Sequence, residues 1–178
     1  MTNYKAARRY ARALLELAAD ESQLEAWGAE LERLAQMVSS PELLVRLTSP
    51  ELSDQQRLEA MTLLGSQLNL SFPMRSFAVV VARHRRSSDI AAITEAYQVL
   101  LDQRLRRTRA TVTFVARPAD ADLAMVVAGL ERLSGKKVIA TLNVDPALMG
   151  GVVAELEGRI YDASLATRLK LWERQLSR

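Results

Sequence analysis

Between Tyr4 and Ala19 the polar residues Lys5, Arg8, Arg9, Arg12 and Glu16 fall on one side of a helical wheel turning about 100° per residue. Apolar residues fill the remainder. One edge carries Ala7, Ala11, Leu14, Leu15 and Ala18; the other carries Ala6, Tyr10, Ala13 and Leu17. An apolar arc of roughly half the circumference exceeds the about 100° that a single core contact needs. The spare edge therefore has room for a second partner, although a place between two neighbours of its own domain accounts for it equally.

The same period recurs downstream. Leu24, Trp27, Leu31, Leu34 and Val38 predict a second helix with Glu25, Glu30, Glu32 and Arg33 outside, and Ser40-Pro41 opens a short third, proline being tolerated in a first turn. Ser53-Asp54-Gln55-Gln56 reads as a capping box that starts a fourth helix bearing Leu58, Met61 and Leu64. A fifth begins near Ser71-Phe72-Pro73. Its Met74, Phe77, Ala78, Val80, Val81 and Ala82 lie almost all around the axis, which predicts a central or doubly covered helix. The sixth runs from about Ser88 through Ile90, Ile93, Tyr97 and Leu101 to Arg107, with basic residues towards its C-terminus, as the helix dipole favours.

At Arg109 the period drops to two, with Ala110, Val112, Phe114 and Ala116 alternating against Thr111, Thr113 and Val115. Pro118 closes that strand. Leu123, Val126, Val127, Leu130 and Leu133 mark a helix that Gly135 suits as a C-terminal cap, and Val138-Ala140-Leu142-Val144 alternates again. The pattern predicts an α+β chain: a six-helix N-terminal bundle over 1–107, then a small α/β domain with a mixed sheet over 108–178.

The stretch Asp145 to Ser164 holds three of the seven glycines, Gly150, Gly151 and Gly158. A phosphate-cradling loop needs a helix N-terminus just beyond its glycines. Here the β-branched run Val152-Val153 follows, then Glu157-Gly158 and a second extended piece, Arg159-Ile160-Tyr161. A β-hairpin turning at Gly158 fits better. After it Asp162 is placed to cap a last helix with the apolar stripe Leu165, Leu169, Trp172 and Leu176.

Composition narrows the function more by exclusion than by assignment. With 49% hydrophobic residues the chain can build a core. Its apolar runs are short, the cleanest being Phe77 to Ala82, far below the about 20 residues that span a membrane. The basic N-terminus has no apolar segment behind it, so no secretory leader is expected. Without cysteine there is no disulfide and no thiolate metal site. The net charge of +3 rests mainly on arginine, clustered at Arg8-Arg9-Arg12, Arg83 to Arg86 and Arg104 to Arg109. These clusters leave a nucleic-acid-binding adaptor as the alternative function. Aromatics are scarce and no reading element is visible, so protein-facing or solvated arginines are expected instead.

No active site emerges. His84 is the only histidine and sits among cations that oppose an imidazolium, which disfavours both a histidine metal cluster and general-base work. No GxGxxG or P-loop pattern occurs. Asp120 and Asp122, and Glu155 and Glu157, are spaced as carboxylate pairs, yet a helix start and a solvent-facing strand edge explain them. No cofactor and no metal is expected.

The stretches "ARRYARALLELA" (Ala7 to Ala18) and "VDPALMGGVVAELEGRIYDAS" (Val144 to Ser164), with the Trp27 helix and Gly135-Lys136-Lys137-Val138, resemble the delta subunit of the rotary ATP synthase, the oligomycin sensitivity-conferring protein family. The resemblance spans essentially the whole chain. It implies a non-catalytic stator subunit, one copy per complex, held peripherally at the cytoplasmic face of the bacterial inner membrane. Its helical domain would bind the N-terminal helix of an alpha subunit between the first and fifth helices, at Tyr10, Ala13, Leu17, Phe77 and Val80. Its C-terminal domain would grip b-type stalk subunits, with Leu165, Leu169, Trp172 and Leu176 as the expected contacts. Two departures stand out. Asp162-Ala163-Ser164 lacks the family's usual central glycine, and Arg83-His84-Arg85-Arg86 replaces a small or amide residue after the fifth helix.

Overall fold

The computed structural model describes residues 4–165 together with Thr167 and Leu169, so Trp172 and Leu176 lie outside the described residues. The chain divides into two compact units, Met1–Leu105 and Arg106–Arg178. The first is helical: α1 Tyr4–Leu17, α2 Glu21–Val38, α3 Pro41–Thr48, α4 Asp54–Gln67, α5 Phe72–Arg83 and α6 Ile90–Arg104, the last preceded by a 3₁₀ turn at Ser87–Asp89. The second holds β1 Arg107–Phe114, α7 Asp120–Ser134, β2 Lys137–Val144, β3 Val152–Leu156 and β4 Arg159–Asp162. Six helices followed by a mixed four-stranded sheet is the predicted fold class.

In the helical unit α6 packs against both α1 and α2. Its Ile90, Ile93, Ala96, Tyr97 and Leu101 are buried in one cluster with Ala7, Ala11 and Leu14 of α1 and Leu24, Leu31 and Leu34 of α2. The Tyr97 hydroxyl, fully enclosed, donates to the Leu24 carbonyl at 2.9 Å. Burial pushes its pKa from 10.0 to about 12. The expected capping box is present: Ser53 Oγ accepts from the Gln56 N–H at 3.2 Å and Gln56 Oε1 from the Ser53 N–H at 3.0 Å.

Arg57 supplies a tie that no local pattern announces. Only 3% exposed, its guanidinium donates to the carbonyls of Leu47 (2.9 Å), Ser49 (3.0 Å) and Leu52 (3.3 Å) and to Asp54 (2.9 Å). It thereby satisfies the C-terminal carbonyls of α3 and fixes the loop into α4.

Two expectations need correction here. The helix α6 is shorter at both ends than Ser88 to Arg107: a 3₁₀ turn takes its start, and Arg106 turns to φ 48° before Arg107 enters β1. Nor is α5 covered on two sides. Met74, Ala78, Val81 and Ala82 are buried, but Phe72 is 76% and Val80 43% exposed. Arg75, Ser76 and Arg83 interleave with the apolar residues of the outer face and keep it in water.

The sheet order is β2-β1-β3-β4, with β1 parallel to β2 and antiparallel to β3. A parallel β1–β2 pair requires a crossover, and α7 provides it, laying Leu130, Val126 and Val127 on the sheet core of Ala110, Val112, Val138, Ala154 and Leu156. Gly135 ends α7 at φ 66°. The β3–β4 hairpin turns on Glu157 (φ 52°) and Gly158 (φ 75°), two left-handed residues whose twist matches the strands.

Arg57→Met is expected to destabilise the helical unit by about 3 kcal/mol, because three carbonyls and a carboxylate lose a charged donor at once. Arg57→Lys should recover less than half, since one ammonium cannot reach all four acceptors; urea unfolding of the full chain reads both. Tyr97 gives a pH dependence. Because its folded pKa lies above the unfolded one, its contribution is intact below pH 10 and is lost as pH rises from 10 towards about 12. The stability difference between the native chain and Tyr97→Phe should therefore shrink over that window, and a constant difference would refute the linkage.

Candidate partner-binding site

Of the residues expected on the α1/α5 seat, the structure brings Tyr10 and Phe77 together. Their rings meet edge to face, centroids 6.3 Å apart and planes at 77°, a geometry that aromatic quadrupoles favour. Both are half-buried. On α1, Ala13 is exposed and Leu17 is 71% exposed, an apolar edge left over because Ala7, Ala11 and Leu14 face the core. Ala6 departs from that edge and is buried. On α5, Val80 stands outward one turn beyond Phe77. The site is thus an apolar strip contributed by two helices, containing no charged group among these five residues.

The arginine turn after α5 is structural. Arg85 adopts φ 55°, the left-handed position usually given to glycine, while the Arg86 N–H reaches the Val81 carbonyl (3.0 Å) and the Arg85 N–H the Ala82 carbonyl (2.9 Å). Arg85 pairs with Asp54 at 2.9 Å, and Arg86 with Asp89 at 3.0 Å. The His84 ring lies 6.5 Å from that of Tyr10, flanking the strip. Two of the three arginines in this cluster are therefore already engaged by carboxylates.

In the α/β unit Leu165 and Leu169 are both exposed, Leu169 to 54%. The helical segment they belong to is capped differently from the expectation. Ser164 Oγ accepts from the Thr167 N–H at 3.3 Å, and Asp162 supports it, accepting from the Ser164 N–H at 2.8 Å and the Thr167 hydroxyl at 2.7 Å. The residue nearest the helix wins the cap, and Asp162 braces the turn before it. Ala163 is not among the residues with positive φ, so no glycine is required there.

Gly150 and Gly151 serve a close approach. The Gly150 carbonyl accepts from the Leu165 N–H at 3.0 Å, and the Val152 carbonyl from the Ala163 N–H at 2.9 Å. A Cβ on Gly151 would stand 2.5 Å from the Ala163 carbonyl oxygen, and one on Gly150 would stand 2.6 Å from Leu165 Cδ1. Both lie at positive φ, 138° and 84°. The loop is a seat for the segment leading into the last helix, and no helix N-terminus follows it to hold a phosphate.

The carboxylate pairs do not form a reacting site. Asp120 and Asp122 occupy the exposed first turn of α7, where acids suit the dipole. Glu155 lies exposed on β3, and Glu157 in the hairpin turn binds Lys136, whose hydrogen bond and charge hold its carboxyl below the usual range. Among the described residues no cluster of His, Cys, Asp or Glu could hold a metal ion. No helix of the described residues is long and apolar enough to cross a membrane. The pattern reading missed Phe72 as a surface group, with the half-buried Val79 on the same side of α5. Their signal was the spacing of Phe72, Ser76, Val79 and Arg83 along one line of α5, hidden by the apolar run through it.

A family model described as the ATP synthase delta (OSCP) subunit matches residues 6–176. The chain is similar to the ATP synthase subunit delta of Anaeromyxobacter dehalogenans (strain 2CP-1 / ATCC BAA-258), 37% identical over 166 residues that cover 92% of each chain. It is 33% identical over 162 residues to the ATP synthase subunit delta of Rhodopseudomonas palustris (strain TIE-1), covering 90% of this chain and 87% of that one. Among solved structures, a chain of the Toxoplasma gondii mitochondrial ATP synthase hexamer shares the fold with a TM-score of 0.61 at 20% identity, over 97% of each chain.

Proposed function

Because this chain belongs to the ATP synthase delta (OSCP) subunit family, a non-catalytic stator part of the F-type ATP synthase, we propose that it clamps the catalytic head to the peripheral stalk through its two units. In this reading the helical unit seats the N-terminal helix of an alpha subunit on the α1/α5 strip, and the α/β unit grips b-type stalk subunits. The observation that carries it is the strip itself: Leu17 and Val80 face water beside the Tyr10–Phe77 pair. An amphipathic helix laid there would bury all of them. In this reading the chain sits peripherally at the cytoplasmic face of the inner membrane, one copy per complex; that its relatives include bacterial delta subunits fits such a place.

Such a subunit works by resisting torque. Proton flow turns the rotor, the rotor drags on the head, and the head must be kept from turning with it. A clamp needs affinity and stiffness and no bond chemistry. Two units engaging two parts of one assembly raise each other's effective concentration, so moderate single contacts give slow release.

Phe77→Asp should weaken binding of an alpha-subunit N-terminal peptide by about 2 kcal/mol, roughly thirtyfold, since a charge without a partner replaces an interface ring. Val80→Asp, at a more exposed position, should weaken it without disturbing the core. Unchanged peptide titrations with both variants would remove the strip from the interface. For the stalk end, Leu169→Asp in reconstituted vesicles should leave ATP hydrolysis running while proton pumping falls. Leu169 is half-exposed, so circular dichroism of the variant should match the native chain. Survival of pumping would take this helix out of the clamp, and loss of hydrolysis would contradict a purely mechanical role.

A further inference from the structure

The outer face of α5 carries a second apolar surface that shares only Val80 with the proposed seat. At about 100° per residue, Phe72, Ser76, Val79 and Arg83 fall on one line of the helix, and Phe77 lies on the opposite flank. With Thr62 of α4, these residues, Val80 and Arg75 enclose a groove of about 460 Å³. Its lining is mainly apolar, and the Phe72 ring at its N-terminal end is largely in water. The stem of Arg75 is placed, not loose. Gly65 of α4 is buried, and a Cβ there would come within 2.9 Å of Arg75 Cγ, so glycine admits the arginine stem against α4. Among the described residues neither Arg75 nor Arg83 has a carboxylate partner within the chain.

We propose that this groove seats a second amphipathic helix, from an acidic partner segment. Its apolar side chains would cover Phe72, Val79 and Val80, and its carboxylates would meet Arg75 and Arg83. These arginines are separated by about 12 Å along α5, which a partner helix matches with acids two turns apart. Charge selects against a second copy of this chain, which would bring the same two arginines to the contact and carries a net charge of +3. Val80 lies at the shared flank of this groove and the α1/α5 strip, so the two seats are neighbours that can be told apart by Phe72 on one side and Tyr10 on the other.

The test uses the full chain labelled with nitrogen-15 and two synthetic helical peptides of equal apolar face, one with glutamates two turns apart and one with lysines in their place. The glutamate peptide should shift the amides of Thr62, Ser76 and Val79, and the lysine peptide should bind at least tenfold more weakly. Arg75→Glu combined with Arg83→Glu should reverse that preference, and Arg83→Glu alone, which leaves the packing on Gly65 untouched, should reduce it. Shifts confined to Tyr10, Ala13 and Phe77 would overturn the proposal, as would equal binding of the two peptides. It is equally overturned if a single-stranded oligonucleotide produces the larger shifts at the same amides with steep salt dependence, the mark of a phosphate-binding surface.

Discussion

The burial of α6 against both α1 and α2 is the constraint from which the helical unit follows. Tyr97 is the point where it is tightest: a ring enclosed on all sides, its hydroxyl satisfied by the Leu24 carbonyl of α2. Since Ala7, Ala11 and Leu14 are committed to that core, the second apolar edge of α1, with Ala13 and Leu17, is left facing solvent beside its polar face. Likewise α5 packs on α4 and α2, and its outer face, with Phe72 and Val80, stays exposed. The exposed apolar edges are what the core leaves over.

Much of this was legible in the chain. Six helical periods, the change to alternation near Arg109, the capping box at Ser53 and the hairpin at Gly158 all depend on residues within a few positions of one another, which is the range over which sequence pattern speaks. The wide apolar arc of α1 was visible for the same reason. Long-range choices were not. Arg57 reads as one more polar helix residue until Leu47, Ser49 and Leu52 fold back over it. The apolar run of α5 suggests a central helix because periodicity records what a helix carries, not how many neighbours arrive to cover it. Arg85 and Arg106 end helices in the left-handed region where glycine was the residue to look for.

A stator subunit without catalytic groups places unusual demands on the rest of its surface. Where an enzyme concentrates its polar groups in a cleft, this chain spends them on fastening one segment to another: Asp54 serves both Arg57 and Arg85, Glu30 holds the start of α5 through both the Ser71 N–H and its hydroxyl, and Lys136 reaches Glu157 across two turns. The exposed pairs among these, Arg85–Asp54 and Lys136–Glu157, contribute little each to stability. Their effect is to fix the loops between helices and strands, and with them the edges on which partners would sit.

The glycine pair in the α/β unit shows what such fixing means for sequence variation. At Gly135 and Gly158 a side chain would meet nothing within 4 Å, so only the backbone angle resists replacement, and residues that tolerate the left-handed region, such as asparagine, are admissible there. At Gly151 even a methyl group collides with main-chain atoms of Ala163 and Ser164, which no rotamer change can relieve. Tolerance along this loop is therefore discontinuous. Ala147 and Met149, exposed a few residues earlier, are free to drift through many residue types, while position 151 admits one, and a lineage that lost its glycine would have to rebuild the entry to its last helix before it could keep the change.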